Sequence, residues 1–192
     1  MLLRSSIIRP RLGSSLAIFG VGATGVGALM AARLVGCHPI IAVDFKASRL
    51  ALAESLGADM TVDPDGLDPV EAIRSMSNNG VIFSIDTTGV PSVIAGALDC
   101  LAEGGRCALS AAAAPDARLA IELNRLFPDR MIGSGLTGDV VQRALIPRLI
   151  DLWQRGRFPV DRVIQEYPVD DINRAVADIT TGAAVKPVLV MH

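Results

Sequence analysis

The sequence predicts an α/β protein whose main sheet is doubly wound, parallel and six-stranded, with helices on both faces. Short apolar runs alternate with longer runs of helical periodicity, which is the pattern of consecutive strand-helix-strand units. Hydrophobic residues make up 51% of the 192 residues and charged residues 20%, as expected when strands are buried on both faces. A chain of this length supports one large hydrophobic core with a small additional unit.

The clearest unit lies near the start of the chain. Leu16–Phe19 is a short apolar run that predicts a strand, a glycine-rich turn follows, and residues 24–35 predict a helix that ends at Gly36. The same alternation continues to residue 155. Further strands are predicted at residues 39–43, 60–62, 81–85, 106–110 and 131–135, and helical segments at residues 48–56, 69–76, 91–101, 122–127 and 139–155.

The sequence pattern changes after Gly156. Residues 162–167 predict a strand, residues 169–181 a helix and residues 187–191 a last strand, so the chain is expected to end in a short β-α-β unit. We therefore divide the chain into a flexible lead-in at residues 1–14, a main domain at residues 15–157 and a C-terminal segment at residues 158–192.

Charge and cysteine content restrict the class of protein. The chain has 18 basic and 20 acidic residues without a basic stripe or an aromatic platform, which argues against nucleic acid as a partner. Cys37, Cys100 and Cys107 are odd in number and widely spaced, which favours a reducing, cytoplasmic environment over a disulfide framework or a zinc site. No membrane association is expected. A transit peptide is the alternative for the basic residues before position 12.

Three glycines follow the first predicted strand with the spacing Gly20-x-Gly22-x-x-Gly25. In this arrangement the first allows a tight turn, the second lets the backbone approach a pyrophosphate, and the third lets the helix pack close to the strand. The free N–H groups of the first helical turn, including those of Ala23 and Thr24, attract anions. The motif predicts a dinucleotide site, and a glycine-rich turn without a ligand is the alternative.

An acidic residue after the second predicted strand supports the dinucleotide interpretation. Asp44 follows the third glycine at about the 20-residue distance expected of a carboxylate that binds the adenosine ribose. Its charge would repel a 2′-phosphate, which favours NAD over NADP. The alternative is that Asp44 caps the following helix. Lys46 and Arg49 lie near enough in sequence to reduce the discrimination.

The segments that follow two later predicted strands are further candidates. Thr87 and Thr88 come after the strand at residues 81–85, and Ala111 comes after the strand at residues 106–110. Ligands bind at the carboxyl ends of strands in open α/β sheets, so these segments are expected to line a cofactor groove. Ordinary turn chemistry is the alternative for each side chain. We find no Ser-His-Asp or Cys-His arrangement and predict no catalytic residue.

As an ordered set, these motifs resemble the cofactor domain of zinc-dependent medium-chain alcohol dehydrogenases, and most of all the aryl- or benzyl-alcohol dehydrogenase branch. The resemblance extends from about Ile8 to the end of the chain. Its motifs are residues 15–25, residues 41–59, Asp86-Thr87-Thr88-Gly89, Gly104-Gly105-Arg106, Ile132-Gly133, Gly138-Asp139, residues 146–150, residues 167–175 and Lys186-Pro187-Val188.

The resemblance implies that residues 15–157 form a Rossmann domain that binds NAD. The activity it implies is that of an oxidoreductase, with hydride transfer between an alcohol, aromatic by preference, and the cofactor. Residues 158–192 would belong to a separate catalytic domain. Besides the glycine loop, Thr87 and Thr88, the implied cofactor-binding residues are Asp44, Phe45 and Arg49 at the adenosine ribose, Ala111, Ser134 and Leu136 at the nicotinamide amide, and Lys186 near the pyrophosphate.

In this family the catalytic zinc is held by two cysteines and a histidine that precede the region of resemblance, and a structural zinc by four cysteines. The sequence has neither set, so no metal ligand is predicted. The chain alone is expected to bind NAD with little or no oxidation of alcohol, because no Lewis acid stabilises the alkoxide.

Two other functions stay open. One is an NAD(H)-binding module that is catalytically silent or works with a separate catalytic chain, and the other is a site for the adenosyl group of S-adenosylmethionine. The resemblance also implies a homodimer or larger assembly, formed edge to edge through the predicted strand at residues 131–135 or its neighbour. Residues 158–168 are expected to expose an apolar surface.

Overall fold

A computed structural model describes residues 7–135 and 141–191. The main sheet contains β1 (Leu16–Phe19), β2 (Ile40–Val43), β3 (Met60–Val62), β4 (Val81–Asp86), β5 (Leu101–Leu109) and β6 (Met131–Ser134). A second sheet contains β7 (Ile164–Pro168) and β8 (Lys186–Val190). The helices are α1 (Ala23–Val35), α2 (Ala47–Ser55), α3 (Pro69–Met76), α4 (Pro91–Asp99), α5 (Gln142–Gln154) and α6 (Ile172–Thr181), and short 3₁₀ turns lie at Leu123–Leu126, Val160–Val163 and Val169–Asp171.

The main sheet confirms the predicted fold class. Its six strands are parallel and run in the order β3-β2-β1-β4-β5-β6. The chain therefore builds outwards from β1 to β3 and then returns to place β4 on the other side of β1. Such a reversal opens a crevice between the carboxyl ends of β1 and β4, which is where ligands bind in open α/β sheets.

The first strand shows why the sequence lacks a period-2 pattern. Leu16 and Ile18 pack into one hydrophobic cluster with α1, whereas Ala17 and Phe19 pack into a second cluster on the opposite face of the sheet with α3 and α4. All four side chains are buried. Helices cover both faces, so every position of a central strand has to be apolar.

β5 begins five residues before its predicted start. The pairing with β4 passes from Val81 with Leu101 directly to Phe83 with Arg106, so residues 102–105 form a bulge within the strand. Gly104, at φ +69°, lies in that bulge. Gly104 and Gly105 therefore turn the chain inside a strand, and the residues before the predicted start at Arg106 already pair with β4.

The C-terminal residues form the expected β-α-β unit, but the prediction of an exposed apolar surface at residues 158–168 is wrong for three of its apolar side chains, while Ile164 is exposed. Phe158 and Val163 are buried in the cluster that contains α1, and Tyr167 is buried beside α6. The Tyr167 hydroxyl donates a hydrogen bond of 2.8 Å to Asp178. This unit packs against the chain itself because β7 and β8 leave an apolar face that needs a partner.

Two side chains tie this C-terminal unit to α2. The guanidinium group of Arg162 donates hydrogen bonds of 3.0 Å to both the carbonyl and the hydroxyl oxygen of Ser55. The Lys46 ammonium group donates a hydrogen bond of 2.7 Å to the carbonyl oxygen of Thr180. The unit is therefore held next to the segment that follows β2.

The described part of the lead-in packs on the main sheet. Ile8 is buried in the first cluster, and the Gly13 N–H donates a hydrogen bond of 2.7 Å to the carbonyl oxygen of Gly36. The domain boundaries at residues 14 and 157 stay predictions. In the ranges that the structure describes, no helix combines the length and the apolar character needed to cross a bilayer.

Candidate cofactor site

Packing within the chain explains two of the three loop glycines. Gly20 has φ +89°, its N–H donates a hydrogen bond of 2.8 Å to the Val43 carbonyl oxygen, and a Cβ there would lie 2.7 Å from Oγ1 of Thr87. A Cβ on Gly25 would lie 1.9 Å from the carbonyl oxygen of Gly20. These two positions need glycine for the turn and for the close approach of α1 to β1.

Packing does not explain the middle glycine. Gly22 has φ −77°, which any residue can adopt, and a Cβ there would have no atom within 4 Å. Gly22 is the N-cap of α1, and it has no side chain that could accept hydrogen bonds from the N–H groups of the first turn. The first helical residues, Ala23 and Thr24, are exposed. The loop therefore presents open space in front of unpaired N–H groups, a suitable arrangement for an anion.

Asp44 is buried against the same loop, at the carboxyl end of β2. Its Oδ2 atom accepts a hydrogen bond of 2.8 Å from the Val21 N–H, and Oδ1 accepts one of 3.0 Å from the Lys46 N–H. The nearest guanidinium nitrogen of Arg49 lies 3.5 Å from Oδ2. The carboxylate is thereby held in one orientation, and each oxygen has a further lone pair that can accept a hydroxyl proton.

The contacts of Asp44 bear on the alternative role as a helix cap. Asp44 does bond to the backbone at the start of α2, but the N-cap of that helix is Lys46 and the longer-range bond is to Val21 in the glycine loop. Lys46 is directed to Thr180, and Phe45 is exposed beside it. Val21 is a site residue that the sequence does not reveal, because its contribution is a backbone N–H that no side chain signals.

The turn after β4 is held by a buried carboxylate. Asp86 accepts hydrogen bonds of 2.7 Å from the Thr88 hydroxyl, 3.2 Å from the Thr88 N–H and 2.9 Å from the Gly89 N–H. The Thr87 hydroxyl donates a hydrogen bond of 2.8 Å to the carbonyl oxygen of Gly20. Both threonine side chains thus perform turn chemistry, and they join the β4 turn to the glycine loop.

The other predicted residues lie further from the loop along the sheet or outside it. Ala111 follows β5 and Ser134 ends β6, and these two strands are paired at Leu109 and Ser134. Leu136 lies outside the described residues. Lys186 is exposed at the start of β8, in the smaller sheet. The structure therefore brings the glycine loop, Asp44 and the two threonines together, with Ala111 and Ser134 on the same edge of the sheet.

The cysteines are buried and lie within the hydrophobic clusters. Burial raises the pKa of Cys37 and of Cys107 to about 11 and also raises the pKa of Cys100, so the thiols stay protonated at neutral pH. Across residues 7–135 and 141–191, no three His, Cys, Asp or Glu side chains lie close enough to hold a metal ion. The zinc that the resemblance implies has no fitting donor set in these ranges.

Comparison with known proteins places this arrangement among dehydrogenases. The profile of the zinc-binding dehydrogenase family matches residues 23–152. Geraniol dehydrogenase from Castellaniella defragrans is 41% identical over 180 residues, which are 93% of this chain and 48% of the relative. Alcohol dehydrogenase 1 from Pisum sativum is 28% identical over 191 residues, which are 97% of this chain and 50% of the relative.

Solved structures agree with the sequence comparison. Benzyl alcohol dehydrogenase from Acinetobacter calcoaceticus matches with a TM-score of 0.92 and 34% identity, over 95% of this chain and 51% of that protein. An alcohol dehydrogenase zinc-binding domain protein from Burkholderia ambifaria matches with a TM-score of 0.90 and 40% identity, over 93% of this chain and 49% of that protein. The chain spans about half the length of the relatives that it matches.

Proposed function

This chain belongs to the zinc-binding dehydrogenase family, and from that premise we propose that it binds NAD(H) as the cofactor-binding part of an alcohol dehydrogenase. The observation that carries the proposal is the open space in front of Gly22. Gly20 and Gly25 are required by the fold of the free chain, whereas Gly22 is not, and the absence of a side chain there leaves room for a bound molecule in front of the N-terminus of α1. A pyrophosphate fits this position, because it would face the N-terminus of α1.

Different residues of this chain would bind different parts of the cofactor. Asp44 would accept hydrogen bonds from the adenosine ribose, with Phe45 and Arg49 beside it, and the N–H groups of Gly22, Ala23 and Thr24 would face the pyrophosphate. We assign the nicotinamide to the ends of β5 and β6, with Ala111, Ser134 and Leu136 as its contacts, and Lys186 to the pyrophosphate. When bound, the cofactor supplies the hydride acceptor, and the protein supplies its position.

A Gly22→Ala substitution tests the proposal most directly. We expect NADH to bind at least about tenfold more weakly, because the methyl group occupies the space of the pyrophosphate. The free energy of unfolding should change by less than about 1 kcal/mol, since φ at this position suits alanine. NADH fluorescence titration gives the affinity, with NADPH as the comparison, and denaturant unfolding gives the stability.

The matched control is Gly27→Ala, which adds the same methyl group to the same helix where a Cβ also has no atom within 4 Å. It should leave NADH affinity unchanged. Equal affinity of wild type and Gly22→Ala would contradict the proposed pyrophosphate position. Stabilisation by S-adenosylmethionine without binding of NADH would support the alternative ligand.

For the whole protein we propose NAD-dependent oxidation of an alcohol, aromatic by preference. The similarity to a benzyl alcohol dehydrogenase structure supports an aromatic alcohol as the substrate. The similarity to a geraniol dehydrogenase makes an allylic alcohol the substrate to compare with it. The 192-residue chain alone should show little or no oxidation of benzyl alcohol with NAD and zinc. Turnover that depends on zinc, measured as NADH absorbance with the pure chain, would contradict this expectation.

A catalytic partner chain is the second candidate arrangement. The observation that favours it is an apolar stripe on α5, where Ile146, Ile150 and Trp153 are exposed at helical spacing. Such a stripe suits packing against another protein surface. Co-purification of a zinc-containing subunit with the chain would support this arrangement over a chain that works without a partner.

We further propose a homodimer in a cytoplasmic setting. The support for the dimer is the position of β6, which is an edge strand of the main sheet, with Met131 and Ser134 exposed. A second β6 can extend the sheet across a two-fold axis. Light scattering that shows only monomer at high concentration would contradict the dimer.

A further inference from the structure

A cavity lies at the amino ends of the strands of the main sheet, opposite the carboxyl ends that form the cofactor site. Its volume is about 560 Å³, and we call it the arginine cavity because Arg9, Arg11 and Arg106 line it. The other lining residues are Ile7, Ser14, Ile82 and Phe83. Ser14 precedes β1, and Ile82 and Phe83 belong to the first half of β4, so the cavity lies at the amino ends of the central strands.

The charges around the arginine cavity are unbalanced. Some other arginines of this chain have acidic partners: Arg125 pairs with Asp99, Arg155 with Asp151 and Arg174 with Asp171. Among the residues that the structure describes, Arg9, Arg11 and Arg106 form no such pair, and no acidic residue lines the cavity. Three positive charges thus surround one space in a chain whose net charge is −2. An anion in that space would relieve their mutual repulsion.

The backbone that carries these residues is fixed by hydrogen bonds. Arg106 is half-buried and is paired with Phe83 across β4 and β5. Ser15 accepts a hydrogen bond of 2.9 Å from the Ile82 N–H through its hydroxyl and one of 3.1 Å from the Phe83 N–H through its carbonyl oxygen. The sheet side of the arginine cavity is therefore pre-formed, whereas Arg9 and Arg11 line it as exposed residues.

The lining also specifies the kind of anion. Guanidinium groups bind phosphate and carboxylate with paired hydrogen bonds, and the Ser14 hydroxyl, which accepts a hydrogen bond of 2.9 Å from the Arg11 N–H, can donate its own proton. Ile7, Ile82 and Phe83 give the same cavity an apolar wall. Its volume lies within the roughly 300–1,000 Å³ typical of small-molecule sites.

We propose that the arginine cavity binds a small organic phosphate. The phosphate group contacts the three arginines, and its apolar part lies against Ile82 and Phe83. A doubly charged phosphate ester matches three cations better than a single carboxylate does. This site is separate from the proposed NAD(H) site and does not depend on it.

Isothermal titration at constant ionic strength tests this site with phenyl phosphate as the probe. The wild-type chain should bind phenyl phosphate more tightly than inorganic phosphate, because the ring contacts the apolar wall. The triple variant Arg9→Gln, Arg11→Gln, Arg106→Gln should lose at least about tenfold in affinity, since charge-assisted hydrogen bonds are removed. Arg143→Gln, on the exposed start of α5, is the matched control and should bind like wild type.

Three results would overturn the site. They are no binding of phenyl phosphate by wild type at millimolar concentration, equal binding by the triple variant, and equal affinity for phenyl phosphate and inorganic phosphate. The NADH affinity of the triple variant, measured alongside, should equal that of wild type. A glutamine retains most of the arginine stem, and the melting temperature of each variant without ligand verifies that it is folded.

Discussion

Asp44→Ala is expected to weaken NADH binding by about 100-fold. The carboxylate is held in place by the Val21 and Lys46 N–H groups, so its free lone pairs are already oriented for the ribose hydroxyl groups. A hydrogen bond to a charged group contributes roughly 1.5–3 kcal/mol, and about 1.4 kcal/mol corresponds to a factor of ten in affinity. NADH fluorescence titration measures the change. Preference for NADH over NADPH should also fall, because the negative charge that repels a 2′-phosphate is gone.

Asp59→Ala provides the matched control for this substitution. Asp59 also accepts a backbone hydrogen bond, of 2.7 Å from the Ile40 N–H, but it lies at the amino end of β2, away from the glycine loop. Both variants should lose stability, since each leaves a backbone donor without its carboxylate. Only Asp44→Ala should lose NADH affinity. A similar loss in both variants would mean that Asp44 supports the fold rather than the cofactor.

Gly25→Ala is expected to lower the free energy of unfolding by about 3 kcal/mol or more. The added Cβ would lie 1.9 Å from the Gly20 carbonyl oxygen and 3.0 Å from its carbonyl carbon. Backbone atoms cannot rotate away as a flexible side chain can, so α1 or the glycine loop has to move. That movement also displaces the Gly20 N–H from Val43 and the Thr87 hydroxyl from Gly20. Urea unfolding of the variant and wild type gives the difference.

Gly27→Ala is again the informative comparison, because it lies two residues further along α1. A Cβ there has no atom within 4 Å, so the substitution should stabilise the protein by about 0.5–1 kcal/mol through the helix preference of alanine. Opposite signs for the two substitutions would identify the contact with Gly20 as the cause. Equal unfolding free energies would contradict the close packing of α1 on β1.

Much of the fold is predictable because helices and strands of this chain follow local rules. Pro69–Met76 is predicted with its observed bounds, since Pro69 stands at the first helical position and Asp68 caps the helix by accepting a hydrogen bond of 2.8 Å from the Val70 N–H. Gly36 ends α1 in the left-handed conformation, as its position indicates. Glycine and proline constrain the backbone directly, and their effects can be read without knowledge of tertiary contacts.

Features that depend on distant partners are not predictable in the same way. The bulge in β5 arises from its pairing with β4, and the burial of Phe158 depends on packing against the cluster around α1. In the site, the glycine spacing and Asp44 are visible in the sequence, but the role of Asp86 in holding the adjacent turn is not, because Asp86-Thr87-Thr88-Gly89 is compatible with many turns. In the sequence, Arg9 and Arg11 resemble part of a basic leader. Only the folded sheet brings Arg106 to the same cavity as these two arginines.

The order of the strands also determines how the sheet can assemble. In the sheet, β1 lies between β2 and β4. β2 follows β1 closely in the sequence, whereas the hydrogen bond from the Ile82 N–H to the Ser15 hydroxyl joins residues that are 67 positions apart. The half with β3, β2 and β1 can form from neighbouring segments, whereas the centre requires closure of a long loop, which slows folding. During synthesis the glycine loop and α1 emerge well before the strand that completes their crevice. The nascent domain therefore passes through a stage in which β1 has one unpaired edge, and that edge is open to association until β4 arrives.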